Sequence, residues 1–166
     1  HLRRAHRMSA TDVATLLRKL TRERVDGIVL DLRRNGGGSL EEAINCTGLF
    51  IKSGPVVQVK DYDNKKFVDE DADPSVLYDG PLIVLTSRFS ASASEILAGA
   101  LQDYGRALIV GDKSTHGKGT VQQLIQLNKL GQLRRAKTNP GALKVTIRKF
   151  YRASGSSTQL KGVIPD

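Results

Sequence analysis

Apolar residues recur along the first hundred positions with two alternating periods, and the alternation predicts helices and strands in turn. Val13, Leu16, Leu17 and Leu20 fall at i, i+3, i+4 and i+7. That spacing predicts a helix over 11–24, with Ser9 or Thr11 as its N-cap. Asp26 and Gly27 close it, and residues 28–32 follow as a mostly apolar, buried strand. After Arg33, Arg34, Asn35 and three glycines, Ser39 with Glu42 makes a capping box that opens a second helix to about residue 50. Its expected buried face is Leu40, Ala43, Ile44, Thr47 and Phe50.

Gly54 and Pro55 stop that helix, and 56–59 reads as a strand that turns through 61–64 into Phe67 and Val68. The acidic stretch 69–79 is expected to be a surface loop, and 81–86 another buried strand. Residues 87–92 lead into a helix with apolar positions at Ile96, Leu97, Ala100, Leu101 and Tyr104, and with Gly105 as C′ residue. A buried strand at 107–110 and a loop at 111–119 complete this half. From 120 onward the pattern is β, with alternation over 122–127 and 144–151 and turns at 139–141 and 154–157.

Strand–helix alternation over 11–110 implies right-handed crossovers and a largely parallel sheet. Ligands meet such folds just beyond the C-terminal ends of strands. The glycine loop after Leu32, the serine loop after Thr86 and the lysine loop after Val110 all lie there, so three loops converge on one place.

Composition narrows the class without naming a chemistry. A chain of 166 residues, 39% hydrophobic and 26% charged, suits one folded domain and argues against disorder. Its apolar runs are strand-sized, no membrane span is expected, and no signal-peptide pattern follows the basic start. The single cysteine, Cys46, excludes an internal disulfide and is read as a small core-facing residue. The net charge of +9 is unevenly placed: residues 3–24 hold seven Arg/Lys, 129–161 hold nine without an acid, and 61–79 hold seven Asp/Glu. A basic surface leaves peripheral contact with an anionic membrane open. Nucleic acid is not expected as a partner, since zinc-finger, helix-turn-helix and aromatic-rich strand patterns are all missing.

Each loop carries its own chemical option. Gly36, Gly37 and Gly38 precede a helix N-terminus and present bare N–H groups, which suits a phosphate or the oxyanion of acyl transfer; a tight turn is the plain structural alternative. In 90–95 (Ser-Ala-Ser-Ala-Ser-Glu), small residues between a strand and a helix suit a presented nucleophile, and equally a serine-rich N-cap with Glu95 completing a box to Ser92. Gly117-Lys118-Gly119-Thr120 is no P-loop, because Asp112 stands where the first glycine belongs and Gly119 where Ser or Thr must follow the lysine. Lys118 is left as a general base. A free lysine, with a pKa near ~10.4, needs burial in an apolar pocket to serve, at ~1.4 kcal/mol per unit. Histidine is the poorer base: His1 and His6 lie in the basic start, and His116 has no evident carboxylate to orient it.

Several stretches together resemble the C-terminal processing (tail-specific) peptidases, serine proteases of the S41 type. They are 31–38 (Asp-Leu-Arg-Arg-Asn-Gly-Gly-Gly), 88–95, 102–107, 117–122, 149–152 and 161–166. The resemblance covers 11–166 as a catalytic core. Residues 1–10 are an unmatched basic segment, and the family's PDZ domain and first strand are not matched. It implies an α/β fold, a crotonase/Clp-like β/α superhelix with a C-terminal β-rich segment. It implies Ser92 as nucleophile, Lys118 as general base and Gln122 as the residue orienting the lysine. The oxyanion hole would be the N–H groups of Ala93 and Gly38, with Gly37 and Phe89 lining the substrate site. Asp103 and Arg106 would form a structural salt bridge. Neither metal nor cofactor is required. Substrates would be proteins with accessible, apolar C-terminal tails, an adaptor protein is among the allowed partners, and the setting would be a bacterial periplasm or cell envelope. Two departures mark this chain: loop 111–117 is one residue longer than the family's, and His116 replaces an aromatic. A non-catalytic peptide-binding module and an acyl-CoA enzyme of the same superhelix are the competing functions; the latter needs no Ser92–Lys118 pair.

Overall fold

A computed structural model of the protein describes residues 9–131 and 138–166. Ser9 caps the first helix, α1 (Ala10–Arg22), and Asp12 reaches back to complete a capping box. Its buried face is Val13, Ala14 and Leu17, while Leu16 is half exposed, so the apolar stripe is rotated from the expected one. β1 (Ile28–Asp31) follows, then α2 (Leu40–Gly48). The Ser39 hydroxyl accepts the Glu42 N–H at 3.4 Å, but the Glu42 carboxylate does not close the expected box there. It accepts the Ala10 N–H at 2.6 Å instead and ties α1 to α2.

The strands β2 (Gly54–Lys60) and β3 (Lys66–Asp71) form an antiparallel hairpin. β3 extends over Asp69, Glu70 and Asp71, which corrects the loop expected to begin at residue 69. Glu70 faces water on this edge strand, whereas Asp69 and Asp71 are half-buried on its other face, and Asp71 Oδ2 is buried without a hydrogen-bond partner among the described residues; charged edges resist unwanted pairing. β4 (Leu82–Thr86), α3 (Ala93–Asp103), β5 (Leu108–Gly111), β6 (Thr120–Gln126) and β7 (Ala142–Arg152) complete the order, with a 3₁₀ turn at Leu127–Lys129. The described part of the C-terminal third is β-rich, as expected.

The strands make two sheets. β1-β4-β5 is parallel, and β3-β2-β7-β6 is antiparallel. The largely parallel sheet expected over 11–110 is therefore limited to three strands, since the β2–β3 hairpin leaves it for the second sheet. Helix α3 contacts both, touching β5 on one side and β2 and β7 on the other. It is consequently buried from Ser94 to Leu101 and supplies the centre of a core with Val56, Val59, Val84, Ile109 and Phe150. Gly105 takes the positive φ of 60° expected at C′.

β1 and β5 are not the doubly covered strands their apolar runs suggested. One face of the parallel sheet, with Ile28, Leu82, Val84 and Ile109, points to the core. The other carries Val29, Leu108 and Val110, which are 58%, 52% and 41% exposed. Cys46 is buried on α2 as expected, and burial pushes its thiol up from 9.0 to about 11, with the Glu42 charge adding to the effect.

The expected Asp103–Arg106 bridge is replaced by two separate anchors. Asp103 pairs with Arg152 of β7 at 2.6 Å, the two side chains each 15% exposed, and Arg152 also donates to Gly99 O and Gln102 Oε1. Arg106 instead donates to the carbonyls of Phe50, Tyr78 and Gly80. The two side chains thus fasten the C-terminal end of α3 to different sheets' surroundings. Arg134, Arg135 and Lys137 of the basic stretch, and His1 and His6, lie outside the described residues.

Candidate active site

The serine loop leaves β4 and is tied at once to the end of β1. Ser90 is fully buried; its hydroxyl donates to Leu32 O at 2.7 Å and accepts the Ser87 N–H at 3.0 Å. Ser87 Oγ in turn donates to Arg33 O. Ser92 then takes φ 58° and ψ −114° immediately before α3. A non-glycine residue there costs on the order of 1–3 kcal/mol and persists only where its surroundings over-determine it. They do so here. The Ser92 N–H donates to Glu95 Oε2 at 2.8 Å, and the Ser92 carbonyl accepts from Glu95 and Ile96 at 2.8 and 3.0 Å. A strained strand–turn–helix corner of this kind lifts a hydroxyl clear of both elements. Ala93, the first residue of α3, contributes one of the first-turn amides that have no intrahelical acceptor.

The glycine loop rests directly on this corner. Asn35 O accepts the Ala91 N–H at 3.2 Å and the Ser94 hydroxyl at 2.9 Å, while Asn35 Oδ1 accepts the Gly37 N–H at 2.9 Å. Gly37 has φ 95°, and a Cβ there would fall 2.5 Å from Ala91 O, 2.8 Å from Ser92 Cβ and 2.9 Å from Ala93 N. Only glycine permits that approach. Gly38 is exposed, with open space around its Cα.

Glu95 brings in the lysine loop. Its side chain is fully buried. Oε1 accepts the Thr115 hydroxyl and the Gly117 N–H, both at 2.6 Å, and Oε2 accepts the Lys118 N–H at 3.0 Å beside that of Ser92. A single carboxylate oxygen thus bridges the main chains of Ser92 and Lys118. A buried carboxylate is tolerable only when saturated with donors, and four donors from two loops achieve that. The sequence marks Glu95 as the partner of a helix cap, and the structure adds its tie to the lysine loop. The signal that marks it out is a charge within 94–101, a stretch of α3 whose other residues are small or apolar.

The remaining predicted residues spread around this centre. Lys118 is half-buried. Gln122 is exposed on β6, opposite Thr146 and just past a register shift between Val121 and Gln122. Phe89 is 67% exposed, with the Arg88 guanidinium 5.8 Å from its ring centre. His116 is exposed, and its N–H donates to Ser90 O at 3.0 Å. Near the glycine loop, hydrogen bonds from the Arg33 guanidinium and backbone hold the Asp31 carboxyl at about 2, well below its usual range. The arrangement brings the Ser92 corner, the first-turn amides of α3, the glycine loop and the main chain of the lysine loop to one place, a set that suits acyl transfer through a serine. Among the described residues, no cluster of three or more His, Cys, Asp or Glu is placed to hold a metal ion, and no helix is long and apolar enough to cross a membrane.

Known proteins share this arrangement of chain. The tail-specific protease of Haemophilus influenzae is 51% identical over 155 residues, covering 93% of this chain and 22% of its own length. A carboxy-terminal-processing protease of Bartonella bacilliformis is 42% identical, covering 89% of this chain and 32% of that protein. The structure of a photosystem II D1 C-terminal processing protease superposes with a TM-score of 0.80 at 32% identity, over 95% of this chain and 38% of that one. This chain therefore spans about a fifth to a third of the length of these two curated relatives. The model of peptidase family S41 matches residues 2–166, and the chain belongs to that family.

Proposed function

We propose that the protein is a serine endopeptidase that cleaves polypeptides at or near apolar C-terminal tails with a Ser92–Lys118 dyad. The supporting observation is the shared acceptor: the amides of Ser92 and Lys118 both donate to Glu95 Oε2, so one carboxylate oxygen anchors both loops. In this reading, Lys118 acts as general base and takes the Ser92 hydroxyl proton as Oγ bonds to the scissile carbonyl carbon. The oxyanion is held by the N–H groups of Ala93 and Gly38; the Gly37 N–H is already engaged by Asn35. Collapse breaks the C–N bond, and Lys118 passes its proton to the leaving amine. Water, deprotonated by Lys118, then adds to the acyl carbon, the ester bond to Ser92 Oγ breaks, and Lys118 returns the proton to Oγ, releasing the acid and the starting enzyme.

Gln122 orients the lysine, and Gly37 and Phe89 line the approach of the substrate. Residues 11–166 act as the catalytic core, within the crotonase-like superhelix the family resemblance implies. The setting is a bacterial cell envelope or periplasm, where an adaptor can present substrates. Purified protein incubated with an unstructured substrate bearing an apolar tail should shorten it, and Ser92→Ala and Lys118→Ala should abolish that. A folded parent that leaves the substrate intact refutes the reading and returns the chain to a non-catalytic peptide-binding role.

A further inference from the structure

The turn after β7 grips the lysine loop along its main chain. Thr158, fully buried, donates its hydroxyl to Lys118 O at 3.1 Å. Gln159 Oε1 accepts the Gly119 N–H at 2.7 Å, and the Leu160 N–H donates to Gly117 O at 2.7 Å. The N–H groups of Lys161 and Gly162 close the turn on Thr158 O, at 3.1 and 2.8 Å. Val163 then exchanges bonds with Thr115: its N–H donates to Thr115 Oγ1 at 2.8 Å and its carbonyl accepts the Thr115 N–H at 3.0 Å. Three consecutive residues centred on Lys118 are therefore fixed to residues 158–160.

Leu160 sits at the apex of this clasp under two costs at once. Its φ is 62°, and its side chain is 91% exposed, more than any other large apolar side chain among the described residues. A branched side chain in the left-handed region is strained, and an apolar one in water gains nothing by burial. Glycine would remove both costs. The same clasp uses glycine at its other left-handed positions, Gly117 (φ 87°) and Gly162 (φ 70°), yet places leucine at the exposed one. Such an outlier argues for a use outside the folded chain itself. The serine loop likewise presents Phe89 to solvent, so the serine loop and the turn clasped to the main chain of the lysine loop each carry one uncovered apolar side chain.

We propose that Leu160 is a specificity-determining residue whose side chain receives an apolar side chain of the bound polypeptide. This rests on the reading of the Lys118 loop as part of a peptidase site, and the turn contributes a rigid mount that keeps Leu160 in register with Lys118.

The test measures binding separately from cleavage. A fluorescent peptide with an apolar C-terminal tail, and a second with serine and asparagine there, are titrated by anisotropy into Ser92→Ala protein and into Ser92→Ala carrying Leu160→Gly or Leu160→Met. Removing Leu160 to glycine should weaken the apolar peptide by about tenfold, the order expected from uncovering one leucine, and leave the polar peptide unchanged. Leu160→Met should bind the apolar peptide like the parent. The melting temperature of Leu160→Gly should hold or rise, because glycine relieves the left-handed φ and removes no buried surface. Equal affinity with and without Leu160, zero included, overturns the inference. Hydrolysis by the unmutated chain is scored apart: binding that depends on Leu160 without hydrolysis leaves this inference standing and removes the peptidase reading.

Discussion

Replacing Glu95 with glutamine tests whether one carboxylate holds the site together. Glutamine keeps the shape and one acceptor oxygen, and turns the other oxygen into an NH₂ group that faces donors. Whichever oxygen is lost, two donors lose their acceptor: the amides of Ser92 and Lys118 on one side, or the Thr115 hydroxyl and the Gly117 amide on the other. Hydrogen bonds to a charged group contribute ~1.5–3 kcal/mol each, so two of them amount to about 3–6 kcal/mol. The neutral amide escapes the desolvation cost of a buried carboxylate, which places the expected loss toward the lower end. Even about 3 kcal/mol is a large share of the ~5–15 kcal/mol that holds a domain folded. Urea unfolding followed by circular dichroism reads it directly, as a lower midpoint at an unchanged slope. A loss below about 1 kcal/mol, with folding intact, would refute the claim that Glu95 is the tie between the loops, since that is the scale of one ordinary neutral hydrogen bond.

Three further outcomes follow from the same geometry. Gly37→Ala should displace the serine corner and abolish peptide cleavage, because its Cβ would fall 2.5 Å from Ala91 O, whereas Gly36→Ala, with open space around it, should cleave like the parent. Asp103→Ala leaves the half-buried Arg152 guanidinium with Gly99 O and Gln102 Oε1 as its acceptors and should cost about 1–3 kcal/mol in urea unfolding; Asp103→Ala with Arg152→Met should cost less than the sum of the two single changes. Cys46 ionises at about 11 in the fold, against 9.0 as its ordinary value. Above pH 9 the unfolded chain has therefore lost a proton that the fold keeps, so stability falls from pH 9 and levels off beyond 11. The full loss is about 3 kcal/mol, and Cys46→Ala should remove that part of the pH dependence.

Local chemistry made the elements legible, and long-range pairing hid the rest. The period of apolar residues located the three α-helices among the described residues, and the motifs in 31–38, 88–95 and 117–122 identified the loops that meet. Asp69 to Asp71 read as a loop because charge usually marks solvent, but their pairing with Gly54, Pro55 and Val57 makes them an edge strand. Nothing near Asp103 in sequence reveals Arg152, which arrives only because β7 pairs with β2. Glu95 was hidden in the same way. Its spacing from Ser92 matched a helix cap, and three of its four donors come from a loop at least twenty residues downstream. The strained backbone of Ser92 has no sequence signature at all, since it follows from how the glycine loop, β4 and α3 meet.

Mass spectrometry of an acyl-enzyme is the most direct test of the Ser92–Lys118 reading. The protein is mixed with an activated ester of an apolar-tailed peptide, quenched in acid, digested and mapped. The acyl group should appear on Ser92 within the peptide spanning the serine corner, and Lys118→Met should nearly eliminate it while leaving the fold unchanged. An acyl group on another residue, or one on Ser92 that forms equally fast without Lys118, would contradict the account.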